Sequence, residues 1–177
     1  MPPLSPKAKA EKIKLLILDV DGVLTNGNIW FADNGDEQKS FHTQDGLGMK
    51  RLQRANIQVA IISGRKSPAV DRRMKELGIT QVFQGQENKQ AAYESLLETY
   101  QLSPEAVAYV GDDLPDMHIM KQVGFRIAVN NAVPEVKAFA DWCTTRNGGE
   151  GAVREACELI LSYQKVSKQN ETKNILA

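Results

Sequence analysis

From residue 14 onward the chain alternates unbroken apolar runs with stretches of helical period. Residues 14–20 (KLLILDV) are nearly all apolar and end in acidic residues, the form of a strand buried on both faces. Residues 57–63, 80–83, 107–110, 125–129 and a short 141–144 repeat that form. Between them, Ser67-Pro68 supplies an N-cap and a first-turn proline. Val70, Met74 and Leu77 follow at helical spacing, and Gly78 closes the segment. Tyr93, Leu96, Leu97 and Tyr100 make a second apolar stripe, and Val153, Ala156, Cys157, Ile160 and Leu161 a third. Strands alternating with helices of this length predict an α/β fold with a mostly parallel sheet covered on both faces.

One segment breaks the alternation. Residues 26–42 hold two short β-prone runs around Asp33-Asn34-Gly35-Asp36, and Asn-Gly between such runs predicts a projecting β-hairpin. Ile29, Trp30, Phe31 and Phe41 are too apolar for a free flap, so they either fold back on the core or meet another subunit. The opening dozen residues and the tail from about 165 to 177 read as loose.

Composition narrows the class. The 177 residues predict one domain, 1–177, with its core at about 14–164; folding such a chain buries roughly 70% of its unfolded surface. Lys and Arg total 22 against 22 Asp and Glu, which argues against a broad nucleic-acid grip. No window of about 18 apolar residues and no signal-peptide core occurs, so the expectation is a soluble, cytoplasmic protein with no membrane partner. Cys143 and Cys157 lack metal or redox spacing and read as core thiols of a reducing compartment.

The candidate chemistry lies at strand ends, which share one edge in an open parallel sheet. Asp19-Val20-Asp21-Gly22 can turn two carboxylates into one site, although an isolated pair of this kind also serves to cap turns. Gly111-Asp112-Asp113-Leu114-Pro115-Asp116 follows another buried run, and there Asp113 or Asp116 could equally cap the next helix. Together the clusters suit a hard cation, Mg2+, because no His or Cys accompanies them. Ser63-Gly64-Arg65 offers a hydroxyl and bare N–H groups to an anion. Lys89 stands at a helix start, where a cation opposes the dipole unless a phosphate is needed. These groups together describe phosphoryl transfer.

DVDGVLT at residues 19–25, ISGR at 62–65, Lys89 and VGDDLPD at 110–116 resemble the four motifs of the haloacid dehalogenase superfamily of phosphohydrolases. Further stretches, FHTQDGLGMK, FQGQENK and NGGEGAVRE, are similar to its capless sugar-acid phosphatase branch. The resemblance implies a Rossmann-like sheet and a Mg2+-dependent hydrolase. Its expected substrate is a small phosphorylated sugar acid, the 8-phosphate of an eight-carbon acid of lipopolysaccharide synthesis. By the same resemblance Asp19 is the nucleophile, and Asp21 the proton donor and then the base. Mg2+ is held by Asp19, Asp21 through its carbonyl, and Asp112, with Asp113 or Asp116 in support. Ser63, Gly64 and Lys89 hold the phosphoryl group, which Asp21 also contacts. The family's recognition positions map onto His42, Thr43, Gln44, Asp45, Gly46, Lys50, Arg65 and Arg73.

Gln44 and Lys50 depart from the basic residue and the arginine found in other members, and both bear on the organic half of the substrate. Neither the gap from Asp21 to Ser63 nor that from Ser63 to Lys89 has room for a cap domain. The resemblance therefore implies a homotetramer whose hairpins pack together, each site being covered by a neighbour and reached by its tail. Three rivals stand beside this reading: a phosphatase for a nine-carbon, sialic-acid-type 9-phosphate, a phospho-receiver module, and a catalytically silent assembly domain, against which the intact Asp19, Asp21, Lys89 and Asp112 argue. The receiver needs an acceptor aspartate at the end of the third strand, where this chain has VFQGQ. His118 reads as a partly buried, satisfied histidine, and Trp142 as core.

Overall fold

The computed structural model describes residues 5–164. The first apolar run forms β1 (Leu15–Leu18), all of it buried, because a strand flanked by neighbours and covered by helices on both faces has no solvent side. β1 pairs in parallel with β4 (Gln58–Ile62) and with β6 (Val107–Gly111). β5 (Gln81–Phe83) extends the sheet beyond β4; β7 (Phe125–Ala128) and β8 (Trp142–Cys143) extend it beyond β6. The order is β5-β4-β1-β6-β7-β8, and chain progression reverses between β1 and β6. That reversal opens a crevice at the carboxyl ends of these two strands.

The helices follow the predicted stripes. With strand order reversing at β1, the right-handed crossover rule assigns α2 (Thr43–Arg54) and α3 (Pro68–Leu77), which touch each other, to one face, and α4 (Gln90–Tyr100), α5 (Met117–Met120) and α6 (Pro134–Phe139) to the opposite one. α7 (Ala152–Tyr163) returns to pack on α2. Gly48 makes that approach close, since a Cβ there would lie 3.2 Å from the Arg154 Cα. Gly78 ends α3 in the left-handed conformation, as its place in the sequence predicts. Ser67 occupies the N-cap position of α3, but its hydroxyl makes no capping bond; its N–H instead donates to Gln84 Oε1 at 2.8 Å.

Residues 5–13 are better tied down than their polar composition predicts. α1 (Pro6–Ala10) is capped by Ser5, buries Ala10, and leads to the buried Ile13. Lys9 pairs with Asp141 at 2.7 Å, and Gln164 Nε2 donates to the carbonyls of Ala10 and Ile13. The tail from residue 165 lies outside the described residues.

The hairpin is present as β2 (Trp30–Phe31) and β3 (Glu37–Gln38), antiparallel. Its loop closes with Gly35 N–H on the Ala32 carbonyl and Ala32 N–H on the Asp36 carbonyl, with Gly35 at φ +85°. That is a three-residue connection with the glycine in the left-handed position. Phe41 packs against the core, but Ile29, Trp30 and Phe31 do not fold back: they are 46%, 58% and 68% exposed. No cap domain interrupts the sheet. The segment between β1 and β4 holds only the hairpin and α2, and that between β4 and α4 only α3 and β5.

His118 is exposed, not partly buried, because α5 is a single turn that spends its inner face on Ile119 and Met120. Trp142 and Cys143 are half-buried on the edge strand, Cys157 is fully buried, and both thiols are free.

Candidate active site

Asp19 leaves the end of β1 into the crevice, beside the loop that follows β6. It is 8% exposed, and its Oδ1 accepts from Lys89 Nζ at 2.7 Å. Lys89 sits at the N-cap of α4, where the helix dipole disfavours it, and three partners offset that cost. Besides Asp19, its ammonium donates to Asp116 Oδ1 at 2.8 Å and lies 3.0 Å from the Tyr109 hydroxyl. Tyr109, on β6 and fully buried, donates to the same Asp116 oxygen at 2.7 Å. The other Asp116 oxygen accepts the N–H groups of Asp112 and Asp113 at 2.9 and 3.2 Å. Asp116 thus ties the helix start to the loop after β6.

One carboxylate oxygen each from Asp19, Asp112 and Asp116 falls within 4.8 Å of the others. Burial, then repulsion from Asp116, raises the Asp19 pKa to about 7 against the pull of Lys89. Burial, then Asp116 and Asp19, raises that of Asp112 to about 8. Burial also works against the Lys89 charge, but Asp19 and Asp116 outweigh it and hold its pKa above the usual lysine value. One ammonium among three carboxylates leaves excess negative charge in a half-closed space. A small divalent cation with oxygen ligands fits that deficit. The Asp112 carboxylate also fills the place a Cβ on Gly22 would take, next to the turn that carries the Asp21 carbonyl. Asp113 is exposed and caps Leu114 N–H at 2.7 Å, so of the two carboxylates expected in support, Asp116 is the one brought to the cluster.

The loop after β1 winds around one carbonyl: the N–H groups of Val23, Leu24 and Thr25 all approach the Val20 oxygen within 3.2 Å. A late glycine pair clamps it. Gly149 N–H donates to the Val23 carbonyl at 3.0 Å, and a Cβ on Gly148 would stand 1.6 Å from the Gly22 oxygen. Asn131 links the two segments, accepting from Gly148 N–H at 2.6 Å and donating to the Gly22 carbonyl at 3.3 Å. Ser63 comes directly after β4, almost fully buried, and Gly64 follows it exposed. Asp21 stands apart from the three-carboxylate cluster, its carboxylate paired with Lys39 and 3.9 Å from Arg65 Nε.

The expected recognition residues divide. His42 is the N-cap of α2, its Nδ1 accepting from Gln44 N–H at 3.3 Å. Thr43, Gln44 and Lys50 are exposed, and Gln44 Oε1 accepts from Arg146 at 2.9 Å. Arg73 lies against Gly46 and pairs with Glu76, while Arg65 pairs with Glu37. Asp45 is 1% exposed and turned to α7, where its Oδ1 accepts Arg154 N–H at 2.7 Å. α7 begins at a glycine with no side-chain cap, so Asp45 supplies one from α2. Tyr109, Asn131, Glu37 and Lys39 were not singled out by sequence. Tyr109 carried the one available signal, a hydroxyl inside an otherwise apolar strand.

A family model for haloacid dehalogenase-like hydrolases matches residues 78–156. The 3-deoxy-D-manno-octulosonate 8-phosphate phosphatase of Escherichia coli K12 is 51% identical over 157 residues, covering 89% of this chain and 84% of that protein. The crystal structure of the phosphatase of that name from Yersinia pestis is 47% identical, with a TM-score of 0.88 over 89% of this chain and 85% of its own. The Moraxella catarrhalis enzyme, solved with a magnesium ion, a phosphate ion and a KDO molecule, is 44% identical, with a TM-score of 0.90 over 95% and 97%. With that likeness covering 89% of its length, this chain belongs to the 3-deoxy-D-manno-octulosonate 8-phosphate phosphatases among the haloacid dehalogenase-like hydrolases.

Proposed function

We propose that this chain hydrolyses 3-deoxy-D-manno-octulosonate 8-phosphate to the free sugar acid and phosphate, with Asp19 as the nucleophile. The observation that carries the reading is the contact of Asp19 with Lys89 beside Asp112 and Asp116, in a chain about half identical to phosphatases of that name. Asp19 attacks phosphorus, an O–P bond forms to its carboxylate, and the bond from phosphorus to the sugar oxygen breaks. Asp21 gives its proton to that leaving oxygen. It then takes a proton from the water that splits the aspartyl-phosphate, restoring Asp19. Lys89, the Ser63 hydroxyl and the Gly64 N–H hold the phosphoryl oxygens while charge moves through them. Asp19, Asp112 and the Asp21 carbonyl would hold Mg2+, which when bound would supply the positive charge that the carboxylates and the phosphoryl group both require.

The sugar carboxylate suits an arginine fork, and Arg65 and Arg73 are the arginines assigned to it. The protein works as a homotetramer in the cytoplasm. Support for assembly comes from Ile29, Trp30 and Phe31, an apolar patch at the hairpin that the described residues leave uncovered. Among the described residues no helix is long and apolar enough to cross a membrane.

A panel of sugar phosphates assayed with Mg2+ and with EDTA tests the reading. The expected result is highest kcat/KM for the eight-carbon acid phosphate and no turnover in EDTA. Clear preference for a nine-carbon 9-phosphate, or turnover insensitive to EDTA, overturns it. Light scattering tests the tetramer, which a monomeric mass at assay concentration would exclude.

A further inference from the structure

Lys39 belongs to none of the motifs that carry phosphoryl transfer, yet its side chain is only 2% exposed. It follows β3 directly, and its ammonium donates to Asp21 Oδ1 and lies 2.9 Å from Glu37 Oε1. The other Glu37 oxygen accepts from Arg65 Nη2, and Arg65 Nε returns to 3.9 Å from Asp21 Oδ2. Asp21, Lys39, Glu37 and Arg65 therefore close a ring of alternating charge between the hairpin stem and the crevice.

The backbone pairing of the hairpin does not depend on this ring. The strands pair through Trp30 with Gln38 and Phe31 with Glu37, and neither register needs a buried ammonium. Lysine is strongly hydrated and flexible, so taking it out of water requires anions that gain from its presence. Asp21 is the carboxylate through which the ring reaches the crevice: it stands between Lys39 and Arg65 and directly before Gly22, which turns the chain at φ +89°.

We propose that Lys39 is a positioning residue that holds the Asp21 carboxylate where, as a base, it takes a proton from the water that splits the aspartyl-phosphate. The inference rests on the role given to Asp21 above. It makes the hairpin stem part of the proton-transfer apparatus, with Glu37 orienting Lys39 and coupling it to Arg65.

A double-mutant cycle on the full chain tests this, using wild type, Lys39→Met, Asp21→Asn and the pair, with Lys39→Arg as the conservative variant. On 3-deoxy-D-manno-octulosonate 8-phosphate, Lys39→Met should lower kcat by about tenfold to a hundredfold, the scale on which misplacing a reacting group acts. KM should stay within about twofold, and Lys39→Arg should recover most of the loss. In the Asp21→Asn background the same substitution should cost nothing further. Formation of phosphoenzyme from p-nitrophenyl phosphate, whose leaving group needs no proton, should keep its rate in Lys39→Met. A raised KM with unchanged kcat would make Lys39 a substrate contact instead. Equal losses in both backgrounds would make it a structural support, and an unaltered kcat would leave it no role. If the Met variant loses the circular dichroism of wild type, Lys39→Gln enters the same cycle. Failure of the phosphatase reading is separate, since wild type itself would then turn over no phosphomonoester.

Discussion

Gly22 and Asp112 share one small space: a Cβ on Gly22 would stand 2.0 Å from Asp112 Oδ2. The residue behind the first acidic pair must therefore be bare for the second acidic strand end to close on it. Gly22→Ala is expected to push the Asp112 carboxylate aside and to strain a backbone held at φ +89°, at a cost of about 1–3 kcal/mol. The check is half-saturation by Mg2+ in the phosphatase assay, which should rise severalfold or more, together with a lower melting temperature.

Asp19, with its pKa raised to about 7, and Asp112, at about 8, give the metal-free protein a definite pH dependence. Both ionise near pH 4 when unfolded, so between about pH 4 and 8 the folded state binds more protons. Their contribution to stability is fully present below pH 4 and is lost as pH rises through 7 and 8. Melting in EDTA should show this fall, and Mg2+ should raise the melting temperature more at pH 8 than at pH 5. Equal Mg2+ stabilisation at both pH values would contradict the assignment.

Asp19→Asn removes a carboxylate that its neighbours repel while keeping an oxygen for Lys89. Mg2+-dependent turnover should vanish, and the melting temperature in EDTA should hold or rise. Retained turnover would remove Asp19 from the nucleophile's role.

Asp45 caps α7 from α2, and the substitution Asp45→Ala separates that task from substrate contact. We expect a loss of about 0.5–2 kcal/mol in chemical denaturation, typical of a deleted N-cap, with KM nearly unchanged. A large rise in KM at unaltered stability would return Asp45 to the substrate.

Asp19, Lys89 and Asp112 were legible in the sequence because each stands where an apolar run stops or a helix starts, and a parallel sheet sends such positions to one edge. Asp45 has a further task that its own segment does not disclose. A carboxylate in the first turn of α2 beside exposed polar residues reads as part of a site, while the helix it caps begins more than 100 residues later. Lys39 and Glu37 lay in a polar, β-prone stretch whose plain reading is a solvated strand. Only the fold-back of the hairpin stem onto Asp21 gives them partners. Tyr109 passed as core because one hydroxyl in a buried strand is usually satisfied locally. Here its partner, Asp116, comes from the next turn of chain.

The place of β6 beside β1 has a consequence for how the protein comes to be active. Leu18 pairs with Val110, so Asp19 and Asp112 meet only when segments more than 90 residues apart in the chain are in register. Pairings of that separation form slowly, because the intervening loop must lose its freedom first. A nascent or refolding chain that has completed only β1, β4 and β5 already carries Asp19, Asp21 and Ser63, but it has neither Asp112 nor Asp116 in place beside them. In such a chain the three-carboxylate cluster is unformed, and Asp19 gains those neighbours only once the sheet is built across its centre.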